Sequence, residues 1–326
     1  MDLLSDVLQS LRIAAAIFLR GEFSSPWGVA TPDTASVGRM LRPVARRLLV
    51  FHIVASGSCW IRLDNGTTAR VEAPGVLLVP QGHAHLLADC EGRRCQRMTE
   101  LLPPPPWTRF PVLSHGGGGS ATRILCGYLD IANAACVPLL DELPDLIAIG
   151  ATDRGPQAGL APVLEYTVRE AEAVKPGAAS LVFRMAELFF VEVLRHYVAT
   201  APGGDRGWLA ALRDPVVARA LHLLHQDPAR DWSVDTLAQA VASSRSALAG
   251  RFTARLGCSP MRYLTRWRVQ LAAKQIADQG LCIAAAAAAV GYESESAFHR
   301  AFKREFGQTP AAWRRQGGAA LPQPGG

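Results

Sequence analysis

The last third of the chain repeats itself. Displaced along itself by 50 residues, Ser244 falls on Ser294, Ser246 on Ser296, Ala247 on Ala297, Phe252 on Phe302, Gly257 on Gly307 and Pro260 on Pro310. Apolar Leu248 meets Phe298, and aromatic Tyr263 meets Trp313. A Ser-x-Ser…Phe…Gly-x-x-Pro frame shared at one offset marks a duplicated supersecondary unit. In each copy a short helix (234–241; 283–289) is followed by a tight polar turn. A second helix then starts at a serine whose hydroxyl can cap free backbone N–H groups. It stops at Gly257 or Gly307, where a positive φ is tolerated, and the following proline blocks continuation. The pattern is a helix-turn-helix, twice. The intervening PMRYLTRWRVQLAAKQIAD reads as one long connecting helix that sets the distance between the copies.

Charge gives the duplicated region a partner class. Between Trp208 and Gln316 stand 15 Lys and Arg against 8 Asp and Glu, so this segment carries all of the chain's excess of +6. That asymmetry favours a polyanion for the last third and a different task for the rest. In SESAFHRAFKREFG, Phe298, Phe302 and Phe306 recur at four-residue spacing and predict a core-facing stripe. Glu295, Ser296, His299 and Arg300 then fall on the outer face. The second helix of a helix-turn-helix presents its N-terminal residues to base edges in the major groove of double-stranded DNA. Arg300 suits a guanine edge, and Lys303 and Arg304 suit phosphates.

GYESESAFHRAFKREFGQTPAAWRR resembles the signature of AraC-type transcriptional regulators over about 100 residues. The resemblance implies an all-α DNA-binding domain of two helix-turn-helix units joined by a helix. It carries the base-reading role onto Ser246, Ala247, Ala249 and Gly250 in the first unit, and onto Glu295, Ser296, His299 and Arg300 in the second. Ser244 and Ser294 open the two helices. Gly250 stands where members often carry a long polar or basic side chain, so Arg245 and Arg251 are expected to contribute phosphate contacts.

The first half has another grammar. RRLLVFHIVASGSCWIRLD and GVLLVPQGHAHLLA are rich in β-branched and aromatic residues, with turn signals at Asn65-Gly66 and Pro74-Gly75, and predict strands. LLPPPPWTRFP (101–111) reads as loop or edge and HGGGGS (115–120) as a turn. Amphipathic helices begin near Gly159, with Leu181, Met185, Leu188, Phe189 and Val193 near one face of the second. This half resembles, more loosely, the cupin-type sensor domain of one AraC branch, which implies a small β-barrel with trailing helices that mediate dimerisation. The expected fold class is α+β: a cupin-like sensor over 1–200, a linker over 201–207, the double helix-turn-helix over 208–316 and a frayed tail over 317–326.

Three histidines and several cysteines give the barrel candidate chemistry. GVLLVPQGHAH partly matches a cupin metal motif and places His85 at a ligand position, with His52 and His83 as further imidazoles for Zn or Fe. The opposing reading has His83 and His85 alternating across a strand, one in and one out. Cys126, Cys90 and Cys95 are candidate redox sensors, the latter two beside Arg93 and Arg94; a buried thiol such as Cys59 or Cys126 otherwise serves as a small apolar side chain. Seven cysteines without dense spacing suggest reduced thiols in the cytoplasm. The longest early apolar run, 13–19, is flanked by Arg12 and Arg20, which predicts neither signal peptide nor membrane span. The expected protein is a regulator, not an enzyme, that answers a small effector or an oxidant through its barrel. Its partners would be DNA, RNA polymerase and a second copy of itself. Two rivals stay open: a metal-dependent cupin enzyme with a DNA-binding tail, and a DNA-architectural protein without a sensor.

Overall fold

Alternating apolar residues become strands in the computed structural model, which describes residues 13–34, 36, 48–103, 111–131, 140, 142–150, 159–172, 176–200 and 206–315. Most of the proline-rich stretch, most of the expected linker and the whole expected tail lie outside these residues. The described residues up to Thr200, apart from Leu140 and Glu142, form one compact unit; those two and 206–315 belong to a second.

The first unit is built on β1 (Ile13–Ser24), β2 (Gly28–Thr31), β3 (Leu48–Ser56), β4 (Ser58–Leu63), β5 (Thr68–Glu72), β6 (Gly75–Val79), β7 (His85–Ala88), β8 (Gln96–Arg97), β9 (Val112–Gly116), β10 (Ala121–Ile131) and β11 (Ile147–Gly150), with a short helix α1 (Met98–Leu101). One sheet runs β11-β6-β3-β10-β1-β9 and the other β5-β4-β7-β2-β8. The core between them gathers Phe23, Trp27, Val54, Cys59, Ile61, Leu77, Val79, Leu87, Ile124 and Cys126. Phe23 stacks on Trp27 with ring centroids 4.4 Å apart.

The run 13–19, for which the sequence pattern names no element, is the first part of β1 and pairs antiparallel with β10; the second part, from Arg20, also pairs parallel with β9. Strands β3 and β6 read as unbroken apolar runs because both faces of their sheet are covered. Helices α2 (Leu160–Glu172) and α3 (Ala178–Thr200) lie on the outer face, where Phe51 of β3 meets Phe189 of α3 at 5.3 Å. The buried stripe of α3 is Val182, Ala186, Phe189, Phe190, Val193 and Leu194. It is rotated from the expected face, so Leu188 is exposed. The single-helix pattern allowed either stripe, and packing on the sheet selected this one.

The second unit is helical: α4 (Trp208–Arg213), α5 (Pro215–Gln226), α6 (Val234–Ala240), α7 (Arg245–Leu256), α8 (Pro260–Asp278), α9 (Ile283–Ala289), α10 (Glu295–Phe306) and α11 (Pro310–Arg315). Helices α6–α7 and α9–α10 are the two helix-turn-helix copies, and α8 is the connecting helix. Gly257 and Gly307 end α7 and α10 at φ 68° and 69°. Pro260 and Pro310 do more than block continuation, because each is the first residue of the next helix. At that position the fixed proline φ is helical and the missing N–H costs nothing. Of the six alanines of α9, Ala286 and Ala287 are buried, in one cluster with Ala272 and Ala273 of α8. Phe298, Phe302, Phe306 and Trp313 fill the rest of that core.

Candidate functional site

Capping comes first in both α7 and α10. The Ser244 hydroxyl accepts the Ala247 N–H at 3.2 Å and that of Ser294 accepts the Ala297 N–H at 3.4 Å. Each also meets the next serine of its frame, Ser246 at 3.3 Å and Ser296 at 2.8 Å. Ser244 and Ser294 are thus committed to starting the helices, which positions the residues that follow.

On α10 the phenylalanine stripe is buried together with Ala301, and Glu295, Ser296, Arg300, Lys303 and Arg304 are exposed. His299 is half-buried, its Nε2 3.5 Å from Glu295 Oε1. Among the described residues Arg300 and Lys303 have no ion-pair partner. The outer face thus presents Arg300 and Lys303 beside Glu295, opposite the buried stripe that the four-residue aromatic spacing predicts.

On α7 the arrangement differs. Ser246, Ala247, Gly250 and Arg251 are exposed and Ala249 is half-buried, but the cations are engaged. Arg245 Nη1 lies 3.6 Å from Asp235 Oδ2, Arg251 Nη1 3.3 Å from Asp214 Oδ1, and Arg255 Nε 3.8 Å from Asp214 Oδ2. Asp214 is only 8% exposed and also caps α5 by accepting the N–H groups of Val216 and Val217. Arg251, expected at phosphate, is anchored to a carboxylate 37 residues earlier in the chain.

Two arginines of α8 that the sequence pattern passes over tie the unit together. Arg268 donates from Nε to the Pro228 carbonyl at 2.6 Å and from Nη2 to the Arg230 carbonyl at 2.8 Å, and lies 6.0 Å from the Tyr292 ring centroid. Arg266 Nε donates to Glu305 Oε1 of α10 at 2.9 Å. The connecting helix is thus fastened to the loop before α6 and to α10. The only sequence signal was their place in a basic RWR run. Beside them His225 stacks on Trp267 with centroids 4.0 Å apart and bonds the Tyr263 hydroxyl at 2.8 Å. Burial drives its pKa down to about 3.

In the barrel, His52 of β3 and His85 of β7 meet across the two sheets, Nε2 to Nε2 at 2.8 Å. Cys126 of β10, registered opposite His52, brings its Sγ to 3.0 Å from His52 Nδ1. The hydrogen positions follow by elimination. His85 Nδ1 lies 2.8 Å from the His83 carbonyl, which can only accept, so Nδ1 carries the proton. Burial holds His85 near 4 and His52 well below its ordinary value, with the neighbouring imidazole adding to the latter. Both rings are neutral at pH 7. His85 Nε2 is then an acceptor, His52 Nε2 donates to it, and His52 Nδ1 accepts the Cys126 thiol.

His83 does not join this chain of bonds. Its ring lies between Asp64 at 3.0 Å and Asp145 at 3.2 Å, partly exposed, so His83 and His85 point out and in respectively. A Zn or Fe centre on the candidate histidines does not fit this arrangement. The two Nε2 atoms are joined by a proton, Cys126 bonds the far side of the His52 ring, and no three His, Cys, Asp or Glu side chains among the described residues are grouped to hold a metal ion. Burial raises the thiols of Cys126 and Cys95, and pushes Cys59 up to about 12, which opposes the thiolate that redox sensing requires. Cys90 is exposed.

Comparison with known proteins bears on both halves. A cupin family model matches residues 2–199 and a helix-turn-helix domain model matches 237–316. A Streptomyces lividans protein described as an AraC-like transcription regulator is 33% identical over 320 residues, 97% of this chain and 98% of its own length. The chain belongs to the AraC family of transcription regulators. The HTH-type transcriptional regulator AlkR of Acinetobacter baylyi is 27% identical over 97% of this AraC-family chain and 100% of its own. The solved DNA-binding domain of AdpA in complex with a target DNA is 27% identical, covering 32% of this chain and 92% of that one at a TM-score of 0.30. This regulator is a DNA-binding protein with a cupin-like N-terminal domain. Its relatives are named as transcriptional regulators, and no described helix is long and apolar enough to cross a membrane.

Proposed function

We propose that this regulator recognises double-stranded DNA with α7 and α10, and that a small effector acting on the barrel shifts it between states of different activity at promoters. The observation that carries the reading is the outer face of α10. Opposite a fully buried phenylalanine stripe it offers Arg300 and Lys303 with no ion-pair partner among the described residues, beside Ser296 and Arg304. In this reading the groups nearest the helix start, Glu295, Ser296, His299 and Arg300, read base edges, and Lys303 and Arg304 hold phosphates. RNA polymerase and a second copy are its further partners, and the cytoplasm its place of work.

An effector is favoured over an oxidant because burial keeps the core thiols protonated. A cavity of about 290 Å³ between β3 and α2, lined by Ile53, Val54, Ala55, Pro74, Leu164 and Val168 with Glu165 and Arg169, supports a small ligand there. The test is selection of DNA from a random library by the full chain. An enriched sequence that binds more tightly than its single-base variants is expected; equal binding to all fragments would refute base reading.

A further inference from the structure

We infer that the two recognition helices read their half-sites by different chemistry: α10 through hydrogen bonds to purine edges, and α7 through close apolar contact with thymine methyl groups. This rests on the proposed DNA reading of α7 and α10 and names the base composition of each half-site.

Apart from Arg245 and Arg251, the exposed residues of α7 are Ser246, Ala247, Gly250, Thr253 and Ala254, none with a side chain longer than a hydroxyl or a methyl. The Ser246 hydroxyl already meets that of Ser244 at 3.3 Å. The three arginines are held by carboxylates, Arg245 by Asp235 and both Arg251 and Arg255 by Asp214. With those arginines paired to carboxylates, the groups left on this face are too short to reach two atoms of one base edge, which is what bidentate readout of guanine or adenine requires. At the corresponding place α10 sets out Glu295, Ser296, His299 and Arg300, of which Arg300 spans a guanine O6 and N7.

A helix face of small side chains is still a shape. A Cβ placed on Gly250 would have nothing within 4 Å, so this face is open and lets the helix backbone come close to a groove floor. The Ala247 methyl then stands where an apolar contact discriminates thymine from cytosine, whose major-groove edge lacks the methyl and presents an amine. The half-site under α7 is accordingly rich in thymine, and that under α10 contains guanine.

Nucleotide analogues remove one contact at a time. The operator selected by the full chain is resynthesised with deoxyuridine for thymidine, which deletes only the methyl, or with 7-deazaguanine for guanine, which deletes only the N7 acceptor. The half-site whose specificity Arg300→Ala relaxes is assigned to α10, and the other to α7. Deoxyuridine in the α7 half-site is expected to weaken binding about fourfold per contacted methyl. 7-Deazaguanine is expected to act only in the α10 half-site. Gly250→Arg, whose Cβ would meet nothing within 4 Å, is expected to add a guanine preference in the α7 half-site without loss of helicity. If 7-deazaguanine weakens both half-sites alike, or deoxyuridine weakens neither, the division of chemistry is wrong while DNA reading stands. If selection enriches no sequence, both the division and the reading on which it rests fall.

Discussion

Arg300 and Lys303 sit one turn apart on α10 and are expected to fail differently. Arg300 lies two residues beyond buried Phe298 near the helix start, so it projects from the core toward base edges. Arg300→Ala is expected to remove roughly 1–3 kcal/mol of discrimination at one base pair, read by binding to the selected operator and its single-base variants. Equal weakening of every sequence would mean a phosphate role instead. Lys303→Ala is expected to lower affinity for all sequences and reduce the salt slope by about one. Two glycines make the same point about stability. Gly250 lies inside α7 with open space around its missing Cβ, so Gly250→Ala should stabilise by about 0.5–1 kcal/mol. Gly307 ends α10 at φ 69°, so Gly307→Ala should destabilise by about 1 kcal/mol despite equally open surroundings. Urea midpoints shifting in opposite directions would confirm both signs.

At the scale of elements, α8 decides how the two copies act together. Arg268 holds the loop at Pro228 and Arg230, and Arg266 holds Glu305 of α10. A spacer fastened in this way converts two weak contacts into one event by raising the effective concentration of the second. Footprinting of the full chain should show two protected patches about 10 bp apart per protomer, as successive major-groove segments on one DNA face require. Arg268→Ala should leave binding to an isolated half-site almost unchanged and weaken binding to the complete operator. An equal loss on both would show that Arg268 supports only the fold. The barrel has its own element-scale device. His52, His85 and Cys126 come from β3, β7 and β10, so their hydrogen bonds link two sheets through an otherwise apolar core.

For the molecule as a whole, three histidines predict acid lability: His52 and His85 buried in the core, and His225 half-buried and stacked on Trp267. Burial lowers His85 to about 4 and His225 to about 3 from an ordinary 6.5, and His52 well below it. Between those values the unfolded chain binds protons that the folded chain refuses, so stability rises with pH. It is fully present above about pH 6.5 and falls as the pH drops toward 4. Urea unfolding at pH 5 and pH 7 should show the difference, with about three protons taken up on unfolding, and His225→Gln should reduce the dependence by about one proton. A pH-independent midpoint would mean that these rings are not buried as neutral groups. The charge of the last third predicts a second global property, a steep loss of DNA affinity with rising salt as phosphate contacts release counterions. A fragment of residues 208–316 is expected to retain that binding, measured by anisotropy at several salt concentrations.

The sequence by itself determined what depends on neighbours in the chain. Ser244 and Ser294 cap, Gly257 and Gly307 turn left-handed, and the phenylalanines of α10 face inward, because these outcomes follow from backbone sterics and helical periodicity within a few residues. Only the tertiary structure decided which polar groups meet. Arg251 finds Asp214, Arg268 finds the carbonyls at Pro228 and Arg230, and His52 finds both Cys126 and His85. These partners lie 33 to 74 residues apart in sequence. Their meeting is set by strand order and helix packing, which bring together groups that no local pattern relates. The same cause turned His83 out to Asp64 and Asp145 and His85 into the core: His85 is the first residue of β7, whereas His83 precedes the strand and is not bound by the rule that residues two apart share a face.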